Sequence, residues 1–144
     1  MLLSRKDEHL RICLEQNVSF RSVVSGLEKY ALVHCALPER SYETVQTDCE
    51  FLGKKLKAPI LISAMTGGTP NSARINLNLA QAAQVLGVAI CAGSQRAAIE
   101  DPTMAWTYQI RQSAPDALVL ANLGAVQLNY GYGVSECQRA VEMI

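Results

Sequence analysis

The stretch Ala58-Pro59-Ile60-Leu61-Ile62-Ser63-Ala64-Met65-Thr66-Gly67-Gly68-Thr69 decides the fold, because a short apolar run ends in two glycines just before a helical pattern begins. The apolar part, residues 59–64, predicts a short buried strand. Asn71 or Ser72 is the expected cap of the helix that follows, and Gly87 stands where a helix usually ends. The apolar face of this helix is predicted to consist of Ile75, Leu79, Ala82, Ala83 and Leu86.

The same strand-helix pattern occurs twice more along the chain. Residues 88–92 predict a second buried strand, and Asp101-Pro102 predicts the start of a helix that runs to about Ser113. Residues 117–121 predict a third strand, followed by a helix from Ser135. Three such units with apolar strands predict a parallel sheet covered by helices.

Two α/β architectures fit this pattern, namely a doubly wound open sheet and part of a (β/α)8 TIM barrel. A complete domain with three strands would be unusually small, and the sequence ends inside its predicted third helix. We therefore expect the N-terminal part of a barrel, with about three β/α units in residues 58–144. Residues 1–144 are then a single incomplete domain.

Residues 1–57 have a less regular pattern and are predicted to form an N-terminal helix and an extended arm. Ser4 is the expected cap of the helix, with Asp7 in the reciprocal position three residues later. Residues 44–57 alternate loosely around Gly53, which suits a short hairpin.

The composition is that of an ordinary globular protein, with 49% hydrophobic and 18% charged residues. Thirteen basic and thirteen acidic residues cancel, so the net charge gives no reason to expect a nucleic-acid or anionic-membrane partner. The sequence contains no run of about 18 apolar residues, so no membrane span is predicted. The five cysteines contain no C-x-x-C pair, and reduced thiols in a cytoplasmic protein are the simplest interpretation.

Small and polar residues follow each predicted strand, and in both architectures ligands meet the C-terminal ends of the strands. Gly67-Gly68 suits either an anion-binding turn or a tight turn, and no Walker A or G-x-G-x-x-G motif is present. Ser94 and Asn122 suit either donation to a bound ligand or capping of the next helices. Arg96 follows the second predicted strand and is expected to face the same end of the sheet as the Gly67-Gly68 turn. The alternative interpretation is a salt bridge at the rim of a barrel.

Three basic or imidazole side chains share the predicted N-terminal helix. Arg5 and His9 are four residues apart and therefore lie on one face, with Lys6 beside them. Such a cluster suits a diphosphate, which needs several charge-assisted hydrogen bonds. A solvated helix is the alternative interpretation.

Taken in order, these stretches resemble one family. Arg5-Lys6-Asp7-Glu8-His9 is similar to the N-terminal R-K-x-x-H signature of type 2 isopentenyl-diphosphate isomerases, and residues 58–69 and Gly93-Ser94-Gln95-Arg96 look like that family's first two strand ends. The resemblance implies an FMN-binding barrel that interconverts isopentenyl diphosphate and dimethylallyl diphosphate. It also implies reduced flavin supplied through NADPH or NADH, Mg²⁺, and a homo-oligomer at full length.

The resemblance also assigns individual residues. It implies that the flavin is contacted by Ala64, Met65, Thr66, Ser94 and Asn122. It implies that the diphosphate is held by Arg5, Lys6, His9, Ser94, Gln95 and Arg96.

The family's H-x-N-x-x-Q-E strand, with its catalytic Gln and its Mg²⁺-binding Glu, does not occur in this sequence. We therefore expect the catalytic residue and the metal ligand beyond residue 144, none within the chain, and no turnover by residues 1–144 alone. The alternatives are another FMN-dependent barrel oxidoreductase, of the glycolate-oxidase or inosinate-dehydrogenase type, and a non-catalytic truncated fragment. Those oxidoreductases lack the R-K-x-x-H start. A nicotinamide-binding open sheet is a third alternative, and the missing G-x-G-x-x-G counts against it.

Overall fold

The computed structural model describes residues 2–144, and its N-terminal part combines a helix with a hairpin. Helix α1 (Leu2–Glu15) already includes Ser4, so the predicted cap at that residue is wrong. The leucines before it are good helix formers and extend the helix towards its N-terminus. Further along, β1 (Cys49–Phe51) and β2 (Lys54–Leu56) form the predicted hairpin, which is antiparallel.

The central sheet has three parallel strands in the order in which they occur in the sequence. They are β3 (Leu61–Ile62), β4 (Ala89–Cys91) and β5 (Val119–Leu120). In the register, Ile62 is paired with Ile90, and Ile90 with Val119. The predicted α/β class and the parallel sheet are confirmed, although each strand is shorter than the apolar run that predicted it.

Helix α2 (Pro70–Leu86) connects the first two strands of this sheet and begins earlier than predicted. Thr69 is its N-cap, because the Ser72 amide donates to Thr69 Oγ1 at 3.2 Å and Pro70 suits the first helical position. The predicted end is confirmed, since Gly87 has a left-handed φ of 65°. The predicted face is only partly right: Leu86 is exposed, and the buried residues are Ser72, Ala73, Asn76, Ala80 and Ala83.

The second connection is not the single helix that was predicted. Helix α3 (Arg96–Glu100) precedes Asp101, and the residues after it form 3-10 helices at Pro102–Tyr108 and Arg111–Ser113. Asp101 is a cap as predicted, because its carboxylate accepts from the Thr103 amide at 3.0 Å. The first 3-10 helix ends at Tyr108, and both Tyr108 and Ile110 are buried there.

After β5 come a 3-10 helix, Ala125–Tyr130, and helix α4 (Val134–Glu142), which starts one residue before the predicted Ser135. The main core lies between α2, the sheet and the second connection. Ile60 and Leu61 remain 56% and 42% exposed, so the prediction of a buried first strand is wrong, because the β1-β2 hairpin borders a cavity beside these residues and does not cover them fully. The core consists of Ala80, Ala83, Val88, Ile90, Ile110, Ala114, Ala117 and Val119.

Within residues 2–144, every helix is too short or too polar to cross a membrane.

Candidate functional site

The glycine turn after β3 is packed tightly against the second connection. The Gly68 amide donates to Thr107 Oγ1 at 3.0 Å, and Gly68 has a left-handed φ of 85°. A β-carbon on Gly67 would lie 2.1 Å from Cε1 of Tyr108. The turn is therefore a close-packing device, and at least one of its amides already has a protein partner.

The ends of β3 and β4 approach each other equally closely. A β-carbon on Gly93 would lie 1.9 Å from the backbone oxygen of Thr66, so only glycine fits there. The Asn76 amide group donates to the same oxygen at 3.1 Å. These contacts bring the two strand ends into one surface.

Lys6 connects helix α1 to this surface. Its ammonium group donates to the backbone oxygen of Gly67, to that of Ser94 at 3.4 Å and to the hydroxyl of Tyr108 at 3.2 Å. Burial, and then the nearby Arg96 guanidinium, lower the Lys6 pKa. The helix is thereby fixed above the ends of β3 and β4.

The predicted diphosphate residues of α1 meet Arg96 at one cleft. Arg96 is half-buried, and its Nε lies 3.6 Å from a carboxylate oxygen of Glu100, so the rim salt bridge is also present. The cleft has a volume of about 270 Å³. Its lining residues are Arg5, Lys6, His9, Ser94, Arg96 and Gln127.

A second, mostly apolar cavity of about 400 Å³ adjoins this cleft and shares Lys6, His9 and Ser94 with it. Of the predicted flavin residues, Met65, Thr66 and Ser94 line this cavity, and Ala64 is exposed beside them at the end of β3. The remaining lining residues are Leu10, Cys13 and Ile75.

Asn122 does not line either cavity. It follows β5 and is half-buried, and its side-chain amide lies 3.9 Å from the sulfur of Cys91. Burial raises the pKa of the Cys91 thiol, and the hydrogen bond from Asn122 lowers it by less.

Gln95 was predicted to hold the diphosphate, but the structure does not bring its side chain into the cleft. The residue is fully buried. Its side-chain nitrogen donates to the backbone oxygen of Ala140 in α4 at 2.7 Å, and its side-chain oxygen accepts from the backbone N–H of Asn122 at 2.9 Å. Both polar ends are therefore used to join α4 to the end of β5.

Two residues at the site were not assigned a role from the sequence. Gln127 lines the cationic cleft, and its side-chain oxygen packs against Gly124, where a β-carbon would lie 2.6 Å away. Tyr108 is completely buried, and its ring packs against Gly67. Its hydroxyl also donates to the Ser94 backbone oxygen at 2.8 Å. No local motif in the sequence marks either residue as part of the site.

No group of three or more His, Cys, Asp or Glu side chains within residues 2–144 is placed to hold a metal ion.

Residues 4–123 match the family described as FMN-dependent dehydrogenase. The chain is 54% identical over 140 residues to an isopentenyl-diphosphate delta-isomerase from Synechocystis sp., covering 97% of this chain and 40% of that protein. It is 52% identical over 141 residues to a protein of the same name from Nostoc sp., with 98% and 40% covered. For a third, from Rickettsia prowazekii, the identity is 49% over 142 residues, with 99% and 41% covered. The chain thus spans about two fifths of the length of the curated relatives it matches. Since the family match extends over most of its residues, the chain belongs to the family of FMN-dependent dehydrogenases.

Proposed function

We propose that the protein containing this chain is a type 2 isopentenyl-diphosphate delta-isomerase, which interconverts isopentenyl diphosphate and dimethylallyl diphosphate in isoprenoid biosynthesis. The observation that carries the proposal is the cleft where Arg5, Lys6 and His9 of α1 meet Arg96. Cations converging from two distant parts of the chain suit a small substrate with several negative charges. The names of the relatives support the same activity.

The residues that line the cleft have different roles in substrate binding. Arg5 and His9 lie on the exposed side of α1 and, with Arg96, supply donors for the diphosphate oxygens. Lys6 adds positive charge from a half-buried position, where several of its hydrogen bonds are made to the protein itself.

The residues beside β3 fit a flavin by their chemistry. Met65 is 70% exposed at the strand end, and the adjoining cavity is walled mainly by apolar side chains with a few polar groups, as is usual in cofactor sites. Ala64, Met65, Thr66 and Ser94 would hold the ring of FMN, and Asn122 would approach it from the end of β5. When bound in reduced form, FMN would supply the acid and base that add and remove protons at the substrate double bond.

The strand order β3-β4-β5, in which sequence neighbours are also sheet neighbours, supports assigning these units to a (β/α)8 barrel. The resemblance further suggests NADPH as the reductant, a requirement for Mg²⁺, a cytoplasmic location and a homo-oligomer for the full-length enzyme. We keep all four as parts of the proposal.

An isomerase assay on the protein containing this chain tests the proposal. With FMN, NADPH and Mg²⁺, labelled isopentenyl diphosphate should be converted to acid-labile dimethylallyl diphosphate. Arg5→Ala should weaken substrate binding roughly tenfold or more, because a charge-assisted hydrogen bond is lost. Arg11→Ala is the matched control on the same helix, since Arg11 pairs with Glu15 and is exposed outside the cleft. Residues 1–144 alone are expected to be inactive.

Flavin-linked oxidation of a 2-hydroxy acid without isomerisation would instead support another FMN-dependent oxidoreductase. Equal effects of the two arginine substitutions would count against the assignment of the cleft.

A further inference from the structure

Tyr108 links two parts of the site that are far apart in sequence. Its hydroxyl hydrogen is donated to the backbone oxygen of Ser94 at 2.8 Å, which leaves the oxygen lone pairs to accept from Lys6 at 3.2 Å. The phenol therefore holds a strand end and a helix side chain simultaneously.

The attachment of α1 to the rest of the fold depends strongly on Lys6, and Tyr108 supplies one of the three acceptors of its ammonium group. Within residues 5–15 of α1, Lys6 is the only residue whose side chain forms hydrogen bonds outside the helix. Leu14 is 86% exposed, and the Arg11–Glu15 pair lies within the helix on its exposed side. Of the apolar side chains in this part of the helix, Leu10 and Ile12 are half-buried and none is fully buried.

We propose that Tyr108 is a positioning residue for the anion cleft: by holding the Lys6 ammonium, it docks α1 so that Arg5 and His9 face Arg96. The identity of the anion as a diphosphate rests on the proposed function, whereas the docking of α1 does not. Tyr108 itself lines neither cavity.

Tyr108→Phe tests this role, because it removes the hydroxyl and keeps the ring that fills the space beneath Gly67. Inorganic pyrophosphate is the probe, and its affinity is measured by calorimetry on the full-length protein. The loss of one hydrogen bond predicts an affinity weakened roughly three- to tenfold. Hydrogen exchange in α1 should rise, while exchange in β4 and the affinity for FMN stay at wild-type values. Tyr42→Phe, at a residue that is 88% exposed, is the matched control.

A double-mutant cycle with Lys6→Met separates positioning from general stability. If Tyr108 acts through Lys6, the double variant binds pyrophosphate no more weakly than Lys6→Met alone. Additive losses would overturn the proposal, as would unchanged α1 exchange, or losses shared by β4 exchange and FMN affinity. If the wild-type protein has no isomerase activity but Tyr108→Phe still raises hydrogen exchange in α1, the proposed function is refuted. The positioning role of Tyr108 then still stands.

Discussion

Gly67 lies so close to the ring of Tyr108 that a β-carbon at this position would be 2.1 Å from Cε1 and 2.5 Å from Cζ of the ring. The ring cannot move aside easily, because the residue is fully buried and its hydroxyl is hydrogen-bonded to Ser94. The glycine turn and the buried tyrosine are thus two halves of one packed contact beneath the candidate site.

This contact makes Gly67→Ala a test of the packing. We expect a loss of about 1–3 kcal/mol in the free energy of unfolding, the usual cost of overpacking a filled core. Gly133→Ala is the control, because the nearest atom to its added β-carbon is 3.9 Å away and its φ of −143° is open to alanine. Urea denaturation of both variants makes the measurement, and equal small losses would contradict the close contact.

A second prediction concerns Gln95, whose two polar ends join the end of β5 to α4. Gln95→Ala should lower the free energy of unfolding by about 2–4 kcal/mol, because a buried N–H group and a buried carbonyl both lose their partners. Pyrophosphate affinity should change little, since the side chain does not reach the cleft. Gln112→Ala, at an exposed position, provides the comparison. A large fall in pyrophosphate affinity with unchanged stability would instead support the ligand role first predicted for Gln95.

The sequence predicted best what depends on short stretches of chain. Gly87 and Asp101 act locally, as a helix end and a helix cap, and both roles were recognised from residue type and position. The apolar runs predicted three parallel strands, although pairing between neighbours limits the regular part of β3 to two residues.

The sequence predicted less well what depends on long-range packing. The contact between Lys6 and Tyr108 joins residues 102 positions apart, and no local pattern contains it. Gln95 belongs to a G-S-Q-R stretch that resembles a binding motif, yet its side chain turns inward because α4 supplies an acceptor 45 residues later. Residue type predicted the polar character of these side chains but not the direction in which each one points.

The pH dependence of stability gives a third prediction. Burial raises the pKa of the Tyr108 phenol well above its usual value. In the unfolded chain this group loses its proton near pH 10, whereas the folded protein keeps it. The contribution of the protonated Tyr108 phenol to the free energy of unfolding is therefore fully present below about pH 10. As the pH rises further, the free energy of unfolding falls by up to about 1.4 kcal/mol per pH unit.

Tyr108→Phe has no phenol to ionise and should lose stability less steeply than the wild type above this pH. Urea denaturation at several pH values between about 9 and 11.5 measures the two slopes. Tyr42→Phe is the control, because it removes the hydroxyl of an exposed tyrosine. Identical slopes for all three proteins would show that the Tyr108 phenol ionises in the folded state as easily as in the unfolded chain.

The turn of the β1-β2 hairpin gives the last prediction. Leu52 and Gly53 have φ values of 49° and 73°, so both central residues of the two-residue turn are left-handed. Glycine adopts this conformation without strain, whereas leucine does not, and Leu52 is 66% exposed, so it gains little from packing. Leu52→Asn would create the Asn-Gly pair preferred in type I′ turns and should raise the free energy of unfolding by up to about 1 kcal/mol. Leu56→Asn in the same hairpin should have the opposite effect, because Leu56 is buried. Thermal and urea unfolding compare the variants, and a destabilised Leu52→Asn protein would mean that the Leu52 side chain makes a contact more valuable than the relief of backbone strain.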